Sequence, residues 1–153
     1  IHLGPLARLD LAETLASQLE KSLKQGAKLV VGGEYENCNF QPTLIDFVAV
    51  DSVAFQEETF GPLATVIRAK DENDAVAIAN NHRYGLAAAI WTEDREKAYK
   101  IARNIEAGNV FVNSLVRSDS RVPFGGVKKS GYGRELGAVG IKEFMNMKSV
   151  VIE

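Results

Sequence analysis

Apolar and polar positions change period several times along this chain, and the changes predict alternating helices and strands. From Pro5 to about Gln25, residues Ala12, Leu15, Leu19 and Leu23 recur at helical spacing on one face, and Gly26 supplies a stop. Leu29-Val30-Val31 predicts a short strand closed by Gly32-Gly33. The run from Thr43 to Val50 is β-rich, and Pro42 stands before it, because a residue without an N–H suits the start of a ladder. Leu63 to Ile67 predicts a buried strand. Asp71 then offers an N-cap, with Asp74 near the place of a capping-box acid, and Ala75, Ile78 and Ala79 form the helix's apolar face.

Leu86 to Trp91 predicts the next strand. Glu93 and Asp94 open a helix whose Ala98, Ile101, Ala102 and Ile105 follow the i, i+3, i+4, i+7 rule, and Gly108 ends it. Asn109 to Asn113 is again strand-like, Arg134 to Met145 predicts a short helix, and Lys148 to Ile152 a last strand. Strands alternating with helices of about ten residues indicate βαβ units. The fold class is therefore α/β, a mostly parallel sheet with flanking helices. The last strand needs a sheet to join, in this subunit or in a neighbour. No repeat, linker or second domain boundary interrupts the pattern.

Composition narrows the function classes. At 153 residues the chain fits one domain, and 46% hydrophobic with 25% charged residues is the make-up of a soluble globular protein. A net charge of -2 provides no basic field for nucleic acid or an anionic membrane. No apolar run is long enough for a spanning helix, and no secretory leader opens the chain. A single cysteine, Cys38, excludes an internal disulfide framework and suits a reducing compartment, with the cytoplasm as the default. The opening Ile1-His2-Leu3-Gly4-Pro5 has no initiator Met and reads as the middle of a longer sequence.

The candidate chemistry begins with Pro123 to Glu135, where Gly125, Gly126, Gly131 and Gly133 let backbone come close to another surface. A phosphate loop would need Lys after Gly131, where Tyr132 stands; a dinucleotide fingerprint would need glycine where Leu136 stands. The segment is thus a turn cluster or the wall of a site whose reactive groups come from elsewhere. Glu57 and Glu58, before Thr59-Phe60-Gly61-Pro62, read either as an acid-rich helix start or as acceptors for ribose hydroxyls. Arg117-Ser118-Asp119-Ser120-Arg121 reads as solvated loop, or as an arginine fork and hydroxyl for a small carboxylate. Cys38 lies in a polar turn, and with His2 and His82 it forms neither a metal set nor a Cys–His pair.

Taken in order, Gly4-Pro5-Leu6, Gly26-Ala27-Lys28-Leu29, Phe40-Gln41-Pro42-Thr43-Leu44, Glu57-Glu58-Thr59-Phe60-Gly61-Pro62, Tyr84-Gly85-Leu86, Gly108 to Asn113 and Pro123 to Glu135 resemble the C-terminal third of the aldehyde dehydrogenases. The likeness spans essentially the whole chain, and Gly131 to Leu136 looks most like bacterial succinate-semialdehyde dehydrogenases. The resemblance implies oxidation of an aldehyde to an acid with NAD or NADP, through a cysteine thioester. It also implies that the nucleophilic cysteine and the general-base glutamate lie upstream, so that none of these residues is catalytic and the chain alone is inactive. Cys38 does not match the nucleophile's motif.

Carried over residue by residue, the resemblance makes Glu58 the acid that binds the nicotinamide ribose, with Glu57 the lesser candidate. Phe60 becomes the aromatic that places the nicotinamide ring. Phe124 becomes a lining residue of the substrate tunnel. Ser118, five positions after Asn113, becomes the serine that bonds a substrate carboxylate. Arg117 and Arg121 are added on charge alone. The resemblance divides the chain into a partial catalytic domain, 1–146, and an oligomerisation strand, 147–153, of a homo-dimer or homo-tetramer. Two other readings stay open: a non-enzymatic oligomerisation module, and a dehydrogenase for a different aldehyde.

Overall fold

A computed structural model describes residues 3–153. The chain gathers into two compact units, one ending at Asp71 and one running from Glu72 to Glu153, a division of which the hydrophobic pattern gives no sign.

The first unit opens with helix α1 (Leu9–Lys24), which buries Ala12, Leu15 and Leu19 as the spacing predicts. It starts four residues after Pro5 and ends where Gly26 takes φ 104°, a left-handed value that glycine adopts without steric cost. Strands β1 (Lys28–Val31), β2 (Tyr35–Glu36), β3 (Asn39–Phe40) and β4 (Thr43–Asp46) follow. Next come the one-turn helix α2 (Val53–Gln56) and β5 (Leu63–Thr65). A three-stranded sheet has the order β1-β4-β5, with β1 antiparallel and β5 parallel to β4, so that Thr43 faces Leu63 and Ile45 faces Thr65. The β4-α2-β5 passage is a parallel crossover through a single helical turn that the hydrophobic pattern does not mark. β2 and β3 form a small hairpin around Asn37-Cys38.

Leu15 and Ile45 are almost wholly buried and anchor the core, each contributing on the order of 2 kcal/mol by burial. Leu63 to Ile67 does not form the buried strand its apolar run predicts. Only Leu63 is buried; Ala64 and Val66 are exposed, because β5 is the sheet's edge and nothing in the unit covers it.

The second unit comprises α3 (Glu72–Asn80), β6 (Tyr84–Gly85), β7 (Ala87–Ile90), α4 (Arg95–Ala102), β8 (Asn109–Val112), β9 (Val127–Lys128) and α5 (Gly137–Lys142). β7-α4-β8 is a second crossover, with the two strands parallel and Ala87 opposite Asn109. Of the two acids expected to open this helix, Asp94 is its cap, the side chain accepting from the Lys97 N–H at 2.9 Å. Ala98 is fully buried beneath it. α3 departs from the pattern: Ala75 and Ala79 are exposed and Ile78 is half-buried, so its apolar face meets no cover.

α5 is shorter than the predicted Arg134–Met145 helix, because Glu135 is taken up in a bridge to Phe124 and Leu136 adopts φ 64°. Lys148 to Ile152 forms no ladder among the described residues and is exposed throughout. The sheets are mixed, with parallel pairs at the crossovers and antiparallel pairs elsewhere, within the predicted α/β class.

Candidate active-site segments

The loop that carries Glu57, Glu58 and Phe60 leaves α2 and turns at Gly61-Pro62 into β5. Its shape is set from α1. Gln18, only 6% exposed, donates from Nε2 to Glu57 Oε2 at 3.0 Å and to the Glu58 carbonyl at 3.2 Å. One glutamate is therefore tied down. The other's carboxylate has no hydrogen-bond partner among the described residues and stands exposed. Phe60 is 66% exposed, an aromatic face that this unit leaves uncovered. Gly61 sits against Leu15, 2.6 Å from where its Cβ would be, so the turn packs directly on α1.

In the second unit the glycine segment is pinned at several points. Phe124 and Glu135 exchange backbone hydrogen bonds of 2.8 Å each way. Arg134 reaches back to the Gly126 carbonyl at 2.7 Å, and Asn109 Nδ2 donates to the Gly125 carbonyl at 2.9 Å. The Ser130 hydroxyl accepts from the Gly85 N–H at 3.0 Å. Lys128 lies half-buried at φ 54° and donates to the Asn80 carbonyl at 2.7 Å and the His82 carbonyl at 3.2 Å, while paired with Glu106 at 2.6 Å. A lysine at the C-terminal end of α3 meets the negative end of that helix. These bonds leave Phe124 half-buried at the head of a closed loop.

Between β8 and Phe124 lies the charged loop. Asn113, at φ 51°, fixes its origin: its Oδ1 accepts from the Thr92 N–H at 2.9 Å and its Nδ2 donates to the Thr92 carbonyl at 2.7 Å. Arg121 closes on Asp119 through Nε and Nη2, at 2.9 and 2.6 Å. Those side-chain hydrogen bonds, with help from the Arg121 N–H, hold the Asp119 carboxyl far below the usual carboxylate range. Arg121's fork is thus occupied. Arg117 and Ser118 are exposed and make no hydrogen bond or ion pair among the described residues.

Cys38 sits half-buried in the β2–β3 turn, where its carbonyl accepts from the Leu6 N–H at 2.7 Å. Among the described residues no cluster of His, Cys, Asp and Glu is placed to hold a metal, and no helix is long and apolar enough to cross a membrane. Sequence reasoning missed Gln18, Asn109, Asn113 and Lys128. The one available signal was a polar residue, Gln18, on the apolar face of α1.

Comparison with known proteins places these segments in a context. The model described as the aldehyde dehydrogenase family matches residues 1–150. An Escherichia coli K12 succinate semialdehyde dehydrogenase that uses NAD(P)+ is 46% identical, over 97% of this chain and 33% of its own. The NADP+ succinate-semialdehyde dehydrogenase of Deinococcus radiodurans is 42% identical over 97% of this chain and 32% of its own. Among solved structures, a Mycobacterium tuberculosis aldehyde dehydrogenase complexed with NAD+ superposes with a TM-score of 0.94 at 37% identity, covering 99% of this chain and 32% of that one. The Streptococcus pyogenes succinic semialdehyde dehydrogenase with NADP+ gives 0.92 at 35% identity, over 98% and 34%. The chain spans about a third of the length of the curated relatives it matches.

Proposed function

This chain belongs to the aldehyde dehydrogenase family, and we propose that it is the C-terminal third of an NAD(P)-dependent enzyme that oxidises a semialdehyde, in the first instance succinate semialdehyde, to the acid. The observation that carries the choice of substrate is the loop after β8. There Ser118 and Arg117 stand exposed and unbonded on a segment that Asn113 and the Asp119–Arg121 pair hold in shape. A hydroxyl donor beside a guanidinium suits a carboxylate at the far end of a short aldehyde. The names of the relatives support the same substrate. Arg121, closed on Asp119, shapes the loop in this reading, and Arg117 takes the contact with the substrate.

The first unit's residues fit the ribose and ring of a nicotinamide cofactor. The free carboxylate of Glu58 offers two acceptor oxygens to a pair of vicinal hydroxyls, and the exposed Phe60 ring offers a face. When bound, the dinucleotide supplies the hydride acceptor for the oxidation. Phe124, at the head of the closed glycine segment, lines the path to the aldehyde.

A thiolate nucleophile and a general base complete such chemistry, and no residue here matches either, Cys38 included. The chain alone is accordingly inert in this reading. Residues 147–153 extend the sheet of a neighbouring subunit and join the chains into a homo-oligomer.

The substrate assignment is tested in the full-length enzyme carrying this segment. Ser118→Ala should raise KM for succinate semialdehyde about tenfold, the size of one lost hydrogen bond to a charged group. The KM for an uncharged aldehyde of similar length should stay put. Equal effects on both substrates would remove the semialdehyde reading.

A further inference from the structure

Gln18 and Ser22 stand at i and i+4 of α1, and Gln25, the residue that caps its C-terminus, follows at i+7 on the same face. Gln18 and Ser22 are buried there beside Leu15 and Leu19, where apolar side chains would be the ordinary choice. Burying a polar group costs free energy unless it is hydrogen-bonded, and every one of these is. Ser22 Oγ donates to the Gln18 carbonyl at 2.8 Å and accepts from the Ala54 N–H at 3.0 Å. Gln25 Oε1 accepts from the Val53 N–H at 2.9 Å.

The first N–H groups of a helix have no partner within it. α2 takes no cap from its own Ser52, whose hydroxyl donates to the Ala49 carbonyl at 2.7 Å and accepts from no N–H of the helix. α1 supplies the caps instead. The same face continues to Gln18, whose amide nitrogen spends both of its N–H donors on Glu57 Oε2 and the Glu58 carbonyl. α1 thus holds the start of α2 with two residues and its exit with a third.

We infer that Gln18 is a positioning residue for the dinucleotide: by binding the Glu57 carboxylate and the Glu58 carbonyl, it decides which of two adjacent acids is presented and fixes the peptide from which it projects. This rests on the proposed role of Glu58 toward the ribose hydroxyls. Glu57, held against α1, is removed as a competitor. Glu58, anchored only by its backbone, keeps both carboxylate oxygens for the ligand. A site ordered before the ligand arrives loses less freedom on binding, and that is the source of the affinity gain.

The test measures NAD+ and NADP+ binding by calorimetry, without aldehyde, in the full-length enzyme. Gln18→Met keeps the volume, removes both donors and leaves the Ser22 and Gln25 caps in place. Its cofactor Kd should rise about tenfold, while KM for the aldehyde moves little. Gln18→Glu sets a carboxylate against Glu57, so its Kd should rise further at neutral pH and recover as pH falls toward the carboxylate range. A packing role alone would lower the melting temperature and shift cofactor and aldehyde parameters together; that result, or an unchanged Kd in a folded Gln18→Met, overturns the inference.

Should Gln18→Met not fold, Glu57→Ala removes the clamp's other end from the exposed side. A Kd raised about threefold supports the inference, and an unchanged one overturns it. Glu58→Ala, measured alongside, separates the two levels. Weakened binding there with none in Gln18→Met overturns only the role of Gln18, whereas unchanged binding in Glu58→Ala overturns the cofactor role of Glu58 as well.

Discussion

A Cβ at Gly108 would overlap the carbonyl oxygen of Gly125 and lie 2.8 Å from its carbonyl carbon, so the entry to β8 and the glycine segment meet backbone to backbone. The contact is fixed on Gly108's other side, where its N–H donates to the Gly85 carbonyl at 3.0 Å. Neither wall is a flexible side chain that can swing aside. Gly108→Ala should therefore cost about 2–3 kcal/mol, as overpacking against backbone does. Gly4→Ala, with nothing within 4 Å, should stay within about 0.5 kcal/mol. Urea denaturation of both variants measures the difference, and equal midpoints would contradict the close approach.

Lys128 is the second point at which the segment is held. Its ammonium joins the carbonyl of Asn80, the last residue of α3, and the carbonyl of His82 to Glu106. Lys128→Met keeps the stem and removes the donor to those carbonyls together with the charge paired to Glu106, for an expected loss of about 1–2 kcal/mol. Hydrogen exchange should locate that loss at the end of α3 and in β6 and β9. A loss spread evenly over the unit would contradict it.

The Asp119–Arg121 pair gives the loop before Phe124 a defined response to acid. The folded pKa of Asp119 lies below its ordinary value of 3.8, so the pair's contribution is fully present above that value and disappears as pH falls through the folded pKa. A carboxyl-carbon NMR titration should find Asp119 still predominantly charged at pH 3.8, its ordinary midpoint. Arg121→Ala should move its midpoint back up toward 3.8. An unchanged midpoint in that variant would mean the pair does not form in solution.

Two measurements on the 153-residue chain test its proposed partial nature. Incubated with succinate semialdehyde and either NAD+ or NADP+, it should form no reduced nicotinamide. By light scattering it should run larger than a monomer, through the exposed Val150, Val151 and Ile152, and deletion of 147–153 should reverse this. Turnover would reject the absence of a nucleophile, and a well-behaved monomer would reject the role of the tail.

Elements with a strong local signal were legible in the sequence. The spacing of Ala12, Leu15 and Leu19 marks the buried face of α1, and Asp94 marks the start of α4. Contacts between segments distant in sequence were not legible. Gln18 and Glu57 are 39 residues apart, and no periodicity links an amide to a carboxylate across that span. The exposure of Ala75, Ala79 and Val66 escaped for a related reason. An apolar pattern states which face seeks cover, not whether the chain provides any. Of the two glutamates, the resemblance favours Glu58, and the bond from Gln18 to Glu57 supplies a physical reason for that preference.

β7 reads Ala87-Ala88-Ala89-Ile90, and a row of alanines cannot set its own register. Slid by two residues along β8, it would show nearly the same small side chains to the same neighbours, with little packing energy at stake. The asparagines that bracket β8 remove the ambiguity. Asn109 reaches the Leu86 carbonyl at 3.3 Å, and Asn113 grips both backbone groups of Thr92. Alignment is thereby moved from the strand's interior to two pegs at its ends. Sequence drift should follow the same division, with exchange among small residues tolerated at 87–89 and the amides at 109 and 113 kept.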